Sequence, residues 1–400
     1  MTTYLPPVAE SNPTQGASET ETVPAVTGDG GVRALVDWAS EFGRVVEGRA
    51  VDIDVHGAIP VDVVAQLKAS GLFRLWLPVE LGGLEADPGD VVQIISTLSR
   101  AEASTGWLAA IGIATNTIAA YLPRATAFHM FPTGREFAAG NPQPLGTLTR
   151  GTQETFELSG TWPFGSGVEH ADWVVCGVRQ AGSAPGGGLS VVPRSAITRI
   201  DPWLGLGLRG SGSGHFHIRS ASVSSECCLL SAANRPWAAG SLWRLPMSTF
   251  LYASIAAVAI GIGRRAVAQL VVAAQAASGG GPVPDEIRFD QIARILALID
   301  SSYAYLVDSL RRLVSADPDS ADIRRLKAVA RLAIINAGQS AESAVEQCYR
   351  GAGSQALDVE SEAQRALRDI GTAIQHVAIS VKSYPRVGRD IAALFASAAP

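Results

Sequence analysis

The stretch LSGTWPFGSGVEHADW, residues 158–173, decides how the middle of this chain folds. It begins with the end of a short β-rich segment, residues 155–159, and is interrupted by Pro163 and several glycines, which favour turns. A second apolar, β-rich segment follows at residues 173–176. Because the strands are too close together for crossover helices, the pattern indicates a compact β unit and argues against a Rossmann sheet.

Outward from this stretch, short β-rich segments continue at residues 147–149, 189–192 and 215–218. On either side, apolar residues recur at helical spacing instead. In the last third, the steps of three and four from Leu296 to Leu313 are typical of the seam of an antiparallel helical bundle. Long helices are predicted at about 321–349 and 360–396, and the uncharged stretch 245–263 is predicted to be a buried helix rather than a membrane span.

The fold class predicted from these patterns is α+β and mainly α, with three structural units after an N-terminal tail. The tail is rich in Pro, Thr, Ser, Glu and Gly and is predicted to be disordered. The predicted boundaries are a tail at 1–30, an N-terminal helical domain at 31–138, a central β-barrel or sandwich domain at 139–230, and a C-terminal four-helix bundle at 231–400.

Composition excludes several classes of function. The formal net charge of -5, with acidic and basic residues interspersed, gives no basic surface for nucleic acid or for an anionic membrane. The four cysteines form no C-x-x-C motif, which favours a reducing cytoplasm. His215 and His217 lie on one face of a predicted strand, but no third ligand lies near them in sequence, so no metal site is predicted.

The order of helices, small β unit and bundle resembles the acyl-CoA dehydrogenase superfamily over residues of about 31 to 395. Residues 158–173 resemble the flavin-contacting strand and turn of its two-component monooxygenase branch. That branch includes polyketide phenol hydroxylases, indole oxygenases and amine N-oxygenases. The resemblance implies that Trp162 and Phe164 contact the flavin and that Ser166 reaches flavin N5. The alternative is a β-hairpin whose aromatic side chains simply fill the core.

A second resemblance lies in residues 368–376, RDIGTAIQH, which are similar to the C-terminal Arg-Asp…His element of the same branch. The resemblance implies that His376 is catalytic and faces both flavin and substrate. On a continuous helix, Asp369, Thr372 and His376 would share one face, which makes Thr372 a candidate substrate contact. A structural role for His376 is the alternative.

Dehydrogenases of this superfamily need a carboxylate base, and the sequence lacks one at the expected positions. No Asp or Glu occurs between Glu226 and Asp285, and after Asp369 the next acid is Asp390. The position after the Arg-Asp element falls near Val377. Without a base, removal of an α-proton loses a large rate factor, so ordinary acyl-CoA oxidation is disfavoured.

Three further segments resemble elements of the superfamily. Residues 206–213, LGLRGSGS, resemble its Gly-Met-Arg-Gly-Thr-Gly-Ser turn, which implies flavin contacts from Ser211 and Ser213; a plain turn is the alternative. Arg264 on the first bundle helix is a candidate for flavin phosphate or a neighbouring subunit, or else a surface arginine. Trp107 resembles a helix residue near the substrate cavity, with core packing as the alternative.

Together these resemblances imply a reduced-flavin-dependent monooxygenase. FADH2 or FMNH2 would come from a separate NAD(P)H-dependent flavin reductase and react with O2 to form a C4a-(hydro)peroxyflavin within a largely apolar cavity between β unit and bundle. Ser166 would steady that adduct, and His376, titrating near neutral pH, would deprotonate or orient the substrate. The expected substrate is an electron-rich aromatic such as a phenol, polyketide or indole, and the expected assembly is a cytoplasmic homotetramer. The alternatives are an N-oxygenase of an amino sugar or amine, an acyl-CoA dehydrogenase-like flavin dehydrogenase, and an inactive scaffold.

Overall fold

The computed structural model describes residues 31–151, 154–182, 187–230, 234–276, 285–320 and 322–397. The predicted disordered tail, residues 1–30, lies outside the described residues.

The N-terminal part is helical, as the apolar spacing predicts. Its helices are α1 (Gly31–Glu47), α2 (Ala50–His56), α3 (Val61–Ala69), α4 (Pro88–Ala101), α5 (Ala103–Thr115) and α6 (Arg124–Met130). Helix α4 begins where the sequence signals a start: the Asp87 carboxylate accepts a hydrogen bond from the Gly89 amide, and Pro88 occupies the first turn. The buried faces of α4 and α5 pack against each other and against the first bundle helix.

The central part is one sheet of seven strands among the described residues. The strands are β1 (Ala138–Arg150), β2 (Thr155–Trp162), β3 (Trp173–Gln180), β4 (Gly188–Pro193), β5 (Arg199–Ile200), β6 (Phe216–Ser224) and β7 (Cys228–Leu229). Their spatial order is β5-β6-β2-β1-β3-β4-β7, and β1 pairs with β3 in parallel while the other pairs are antiparallel. Strand β1 changes register between Asn141 and Gly146, and the Asn141 side-chain amide donates to the Pro163 carbonyl in the turn that follows β2.

The C-terminal part is a bundle of long helices: α7 (Met247–Ala276), α8 (Asp285–Ser315), α9 (Ile323–Ala352), α10 (Glu362–Ala373) and α11 (Tyr384–Ser397). Helix α7 is the one described helix long and apolar enough to cross a membrane, but 67% of its most apolar window is buried inside the protein. It packs against α4, α5, α8, α9 and α10 and is therefore the central helix of the fold. The order of helices, sheet and bundle confirms the predicted fold class.

The prediction of one helix over 360–396 is wrong. Helix α10 ends at Ala373, and α11 begins only at Tyr384. Two interactions explain the break: the Thr372 hydroxyl donates back to the Arg368 carbonyl, and the Arg331 guanidinium of α9 donates to the carbonyls of Val377 and Ala378. A continuing helix would use those two carbonyls itself, so the contact with α9 stabilises an irregular segment instead.

Candidate active site

The turn after β2 presents Phe164 at the surface in an unusual backbone conformation. Its φ of 56° lies in the left-handed region, which costs a non-glycine residue about 1–2 kcal/mol. The residue is 57% exposed, and its ring lies edge-on to Trp203 at 6.3 Å and to His215 at 6.4 Å between centroids. An exposed aromatic ring held in a strained turn is suited to contact a planar ligand.

Trp162, two residues earlier, faces the interior instead. Its indole is completely buried, stacks on Phe216 with ring centroids 5.1 Å apart, and donates from Nε1 to the Gly177 carbonyl at 2.8 Å. Since side chains alternate between the faces of a strand, the indole lies within the core of the sheet. The observed role of the Trp162 side chain is core packing, and its predicted contact with a cofactor stays a prediction.

Ser166 lies at the centre of a buried cluster of polar groups. Its Oγ accepts a hydrogen bond from Trp107 Nε1 at 3.0 Å and lies 2.6 Å from Ser213 Oγ. Ser213 Oγ in turn lies 2.7 Å from Ser211 Oγ, whose hydroxyl donates to the Leu208 carbonyl at 2.6 Å. The structure thus brings together four of the residues predicted to form the site, from three separate parts of the sequence.

Trp107 reaches this cluster because helix α5 packs unusually close to α4. A Cβ at Gly106 would lie 2.0 Å from the Ser99 hydroxyl of α4, so only glycine fits there. The N-terminus of α5 is capped by the buried Glu102 carboxylate, which accepts hydrogen bonds from the amides of Ser104 and Thr105. Close packing and the cap together fix where the Trp107 indole points.

The turn carrying Ser211 and Ser213 is attached to helix α10. Gly207 lies so near this helix that a Cβ would be 2.1 Å from the Arg368 carbonyl oxygen. The Gly207 amide donates to Thr372 Oγ1 at 3.0 Å, and the Leu208 amide donates to Asp369 Oδ1 at 2.6 Å. The Thr372 hydroxyl accepts from the Gly207 amide and donates to the Arg368 carbonyl, so its observed role is structural. Its role as a substrate contact stays a prediction.

Arg368 fixes the same junction from the other side. Its guanidinium forms a two-point ion pair with Asp54 of α2, at 3.0 and 2.7 Å, and donates to the Leu206 carbonyl. Asp54 could not be identified from sequence patterns, because its partner Arg368 lies more than 300 residues away in the chain. In the Arg-Asp element, then, both charged residues hold the 206–213 turn against the bundle.

Asp369 is a buried carboxyl group, and its removal from water raises its pKa to about 7. The Leu208 amide and the Arg368 charge oppose this rise, while the nearby carboxylates of Glu102 and Asp54 add to it. Burial also raises the pKa of Glu102. Near neutral pH the Asp369 carboxyl is therefore partly protonated.

His376 lies in the irregular segment after α10 and not on a helix as predicted. Its ring meets the Trp107 indole edge to face at a centroid distance of 5.9 Å, which places it beside the Ser166 cluster. Burial, with a smaller contribution from the Arg331 charge, lowers its pKa to about 4. The prediction that it titrates near neutral pH is therefore wrong, because the charged imidazole would lose water and meet a second cation.

The tautomer of His376 follows from its contact with the backbone. The Ala378 amide donates to His376 Nδ1 at 3.1 Å, so Nδ1 must be the acceptor and the proton of the neutral ring is on Nε2. The neutral imidazole thus offers an Nε2–H donor, while its basic nitrogen, Nδ1, accepts the hydrogen bond from the Ala378 amide.

The sequence pattern does not indicate the role of Arg331 at this site. Besides binding two carbonyls it donates to Ser383 Oγ at 3.1 Å and lies over the Tyr252 ring at 4.4 Å. An arginine at helical spacing on α9 resembles any surface cation, and only the tertiary structure shows that it holds the segment bearing His376. Val377, at the position where some dehydrogenases carry their base, is exposed and apolar.

Arg264 is not part of this cluster. Its guanidinium pairs with Asp300 at 3.1 Å and lies over the Tyr303 ring at 4.3 Å, both on α8. A role in binding flavin phosphate stays a prediction. Its neighbour Arg265 points elsewhere and bridges Glu47 and Glu362.

A cavity of about 980 Å³ lies between the sheet edge and the bundle. Pro142 and Leu189 line it from the sheet, and three cationic side chains line it from the other elements: Arg235, Arg244 and Lys327. Neither Ser166 nor His376 is among its lining residues. Because this cavity does not include the candidate site residues, the apolar cavity expected at the site stays a prediction.

The residues around Ser166 fit a flavin. Phe164 offers an exposed aromatic face, Ser166 lies two residues further along the same turn, and the hydroxyls behind it are buried. At Gly212, φ is 60° and an added Cβ would meet no atom within 4 Å, so the turn faces open space there. An aromatic surface next to an oriented hydroxyl matches the isoalloxazine ring and its N5.

Comparison with known proteins agrees with this geometry. The family described as "Acyl-CoA dehydrogenase, N-terminal domain" matches residues 32–125, and "Acyl-CoA dehydrogenase, C-terminal domain" matches residues 253–381. The chain is 26% identical over 374 residues to the indole-3-acetate monooxygenase of Pseudomonas putida, covering 89% of this chain and 91% of that protein.

Two further proteins are similar to this chain. The flavin-dependent monooxygenase oxygenase subunit HsaA of Mycobacterium tuberculosis is 26% identical over 338 residues, covering 80% of this chain and 85% of that protein. XiaF from a Streptomyces species, solved with FADH2 and glycerol, superposes with a TM-score of 0.83 at 23% identity, covering 92% of this chain and 96% of that chain.

Fold, site and matches define a flavoenzyme built from two helical units around a β-sheet. The chain belongs to the acyl-CoA dehydrogenase superfamily, and its relatives place it in the flavin-dependent monooxygenase branch.

Proposed function

We propose that this chain is the oxygenase component of a two-component flavin-dependent monooxygenase that hydroxylates an electron-rich aromatic ring, such as a phenol, polyketide or indole. In the balanced reaction one atom of O2 enters a C–H bond of the ring, the other leaves as water, and the reduced flavin is oxidised. The observation that carries the proposal is the contact of Trp107 with both Ser166 and His376, which joins the flavin-type turn to the bundle.

Reduced flavin, FADH2 or FMNH2, supplies the two electrons needed to activate O2. Phe164 would lie against the isoalloxazine ring, and Ser166 would contact N5. Ser211 and Ser213 support Ser166 from behind through the buried hydroxyl contacts. Because these groups are already ordered by the protein, binding does not have to reorganise them.

His376 orients the substrate by donating from Nε2. The contact between Ala378 and Nδ1 and the low pKa both favour a neutral donor over a general base. A phenol or an indole-type heteroatom near the ring would be held in line with the flavin by this donor, which raises the rate through positioning. Of the two roles considered for His376, deprotonating and orienting, the geometry supports orienting.

An amine substrate is the alternative within the same chemistry. Trp107 and the neutral His376 offer ring surface and an N–H donor but no carboxylate to pair with an ammonium ion, which favours a planar ring over an amine. A flavin dehydrogenase is disfavoured because Val377 replaces the expected carboxylate base.

The partner of this component is a separate NAD(P)H-dependent flavin reductase, since HsaA is named as the oxygenase subunit of a flavin-dependent monooxygenase. A homotetramer in the cytoplasm completes the proposal; it rests on resemblance, and the analytical molecular mass of the purified protein would test it.

The test supplies the protein with a generic flavin reductase, NADH and 18O2, and screens phenols, indoles and amines by mass spectrometry. The expected result is one 18O atom in an aromatic product. Products oxygenated only on nitrogen would favour the amine alternative. Anaerobic bleaching of the flavin by an acyl-CoA, without oxygenation of any aromatic compound, would contradict the proposal.

A further inference from the structure

The hydroxyls of Ser166, Ser213 and Ser211 form an unbroken row that ends on the carbonyl oxygen of Leu208. All three serines are buried, with exposed fractions of 5%, 6% and 2% respectively. The row begins at the Trp107 indole, whose N–H donates to Ser166. Each of its two ends therefore carries a group whose hydrogen-bonding role is fixed: an N–H can only donate, and a carbonyl oxygen can only accept.

The fixed carbonyl determines the direction of every bond in the row. Ser211 has a single hydroxyl proton, and with 2.6 Å between its Oγ and the Leu208 oxygen that proton must lie between them. The proton between Ser211 and Ser213 must then come from Ser213. The proton between Ser213 and Ser166, whose Oγ atoms are 2.6 Å apart, must come from Ser166.

The Leu208 carbonyl is itself held firmly. It also accepts hydrogen bonds from the Ser211 amide at 3.0 Å and from Trp203 Nε1 at 3.1 Å. The amide of Leu208, in its left-handed conformation with φ of 50°, donates to Asp369. Reversing the row would leave two oxygens about 2.6 Å apart with no proton between them, which is costly in a buried site.

We infer that the serine row turns Ser166 into an obligatory hydrogen-bond acceptor, so that the site selects reduced over oxidised flavin. Ser166 gives its only proton to Ser213 and accepts one from Trp107, which leaves one lone pair free for a ligand. In a reduced flavin N5 carries a hydrogen that this lone pair can accept. In an oxidised flavin N5 has only a lone pair of its own, and the two lone pairs repel.

This inference rests on the proposed function and extends it to the exchange of flavin with the reductase. The oxygenase would bind the reduced flavin that its partner delivers. Once turnover has oxidised the flavin, N5 no longer donates to Ser166, and the contact that held the flavin becomes unfavourable. Ser211 and Ser213 are positioning residues in this arrangement, since they act only through Ser166.

The test measures the dissociation constants of reduced and oxidised flavin for wild-type protein and for Ser211→Ala, with the reduced form handled anaerobically. Without the Ser211 hydroxyl, Ser213 can donate to Ser166 instead, and the Ser166 proton is free to face N5. Oxidised flavin should then bind about three- to tenfold more tightly, while binding of reduced flavin changes little. The Leu208 carbonyl keeps two of its three donors, so the variant is expected to fold.

A matched control is Ser104→Ala. The Ser104 hydroxyl is also buried and accepts from the Gly210 amide in the same turn, but it is not part of the row. This variant should leave the ratio of the two dissociation constants unchanged, even if both become weaker. A ligand-side control is 5-deazaflavin, in which carbon replaces N5; Ser211→Ala should not alter its ratio between the two redox states.

The outcomes separate the inference from the proposed function. If wild-type protein binds flavin and Ser211→Ala leaves the ratio unchanged, the serine row does not orient Ser166 and the inference is overturned, while the proposed function stands. If wild-type protein binds neither redox state of FAD or FMN, both are contradicted. If oxidised flavin binds more tightly to Ser211→Ala than to wild-type protein, while reduced flavin does not, and Ser104→Ala shows no such change, the inference is supported.

Discussion

The two halves of the site are fixed in different ways. On the sheet side, Ser166 is held by a row of side chains that ends on one backbone carbonyl, and its neighbours are buried. On the bundle side, His376 lies outside any helix, and its segment is held by its own backbone contact and by Arg331. The first half depends on hydrogen bonds between buried side chains, and the second on side chains of α9, namely Arg331 and Gln339, whose Nε2 donates to the Ile379 carbonyl at 3.2 Å.

This difference predicts how the structure of each half responds to single substitutions. In the sheet-side half, each serine accepts a hydrogen bond from one donor and gives its own proton to the next group, so the loss of one hydroxyl changes the direction of the remaining bonds more than the shape of the turn. In the bundle-side half, the Arg331 guanidinium donates to three acceptors, so its loss should loosen the segment that carries His376. Five experiments would break or sharpen this comparison.

The largest effect is expected at His376. His376→Ala removes the Nε2–H donor, and product formation should fall at least about a hundredfold, as for other preorganised donors. Flavin oxidation should continue, with release of hydrogen peroxide in place of hydroxylated product. The measurement is the coupling ratio, which is the amount of product formed divided by the amount of reduced flavin consumed. His376→Gln, which can place an N–H near the same point, should recover part of the loss.

The same residue gives a pH test of donor against base. Since the pKa of His376 is lowered to about 4, its neutral form persists at all higher pH values. The coupling ratio of the wild-type protein should therefore show no His376 ionisation between pH 6 and 7. A dependence on a group of pKa near 6.5 that disappears in His376→Gln would restore the general-base role.

The next effect is expected at Arg331. Arg331→Met removes charged hydrogen bonds to two carbonyls and should lower the free energy of unfolding by about 2 kcal/mol. The pKa of His376 should rise because a neighbouring positive charge is lost, which NMR titration of the imidazole can follow. Arg325→Met, on the exposed face of the same helix, is the control and should change neither quantity.

A smaller effect is expected from Asp369→Asn. The pKa of Asp369 is raised to about 7 in the folded protein, above its value in the unfolded chain. The folded state therefore binds the extra proton, so its stability is greatest below the unfolded pKa and is lost as pH rises towards 7. The asparagine variant can still accept from the Leu208 amide but cannot ionise.

Denaturation curves at several pH values test this prediction. Between pH 5 and 7 the wild-type protein should lose about 1–2 kcal/mol of stability relative to Asp369→Asn, with Glu102, Asp54 and Arg368 as the neighbouring charges. Parallel curves for the two proteins would show that Asp369 is already ionised at pH 5.

The smallest effect is expected at Phe164. Phe164→Gly relieves a left-handed backbone and should stabilise the protein by about 1 kcal/mol, while weakening flavin binding through loss of the exposed ring. Phe164→Leu keeps the strain and is the matched control. Stabilisation by leucine as well would mean that exposure of the ring, and not the backbone, carries the cost.

Much of the fold was predictable because it follows from short-range pattern. The alternation of β-rich segments around residues 158–173 indicated strands, and the apolar spacing in the last third indicated a bundle. The break between Ala373 and Tyr384 was not predictable, because it depends on Arg331, more than forty residues away in sequence. The same limit applies to Trp162, whose burial depends on Phe216 and Gly177 across the sheet.

The sequence by itself determined the class of the fold, the serines of two motifs and the histidine that faces them. These are local facts, set by residue identity and spacing. Only the tertiary structure decided how these groups act: which hydroxyl donates to which, which nitrogen of His376 carries the proton, and at what pH it ionises. Those properties depend on burial and on single backbone groups at either end of a hydrogen-bond row, and contacts of that kind form only when distant segments pack together.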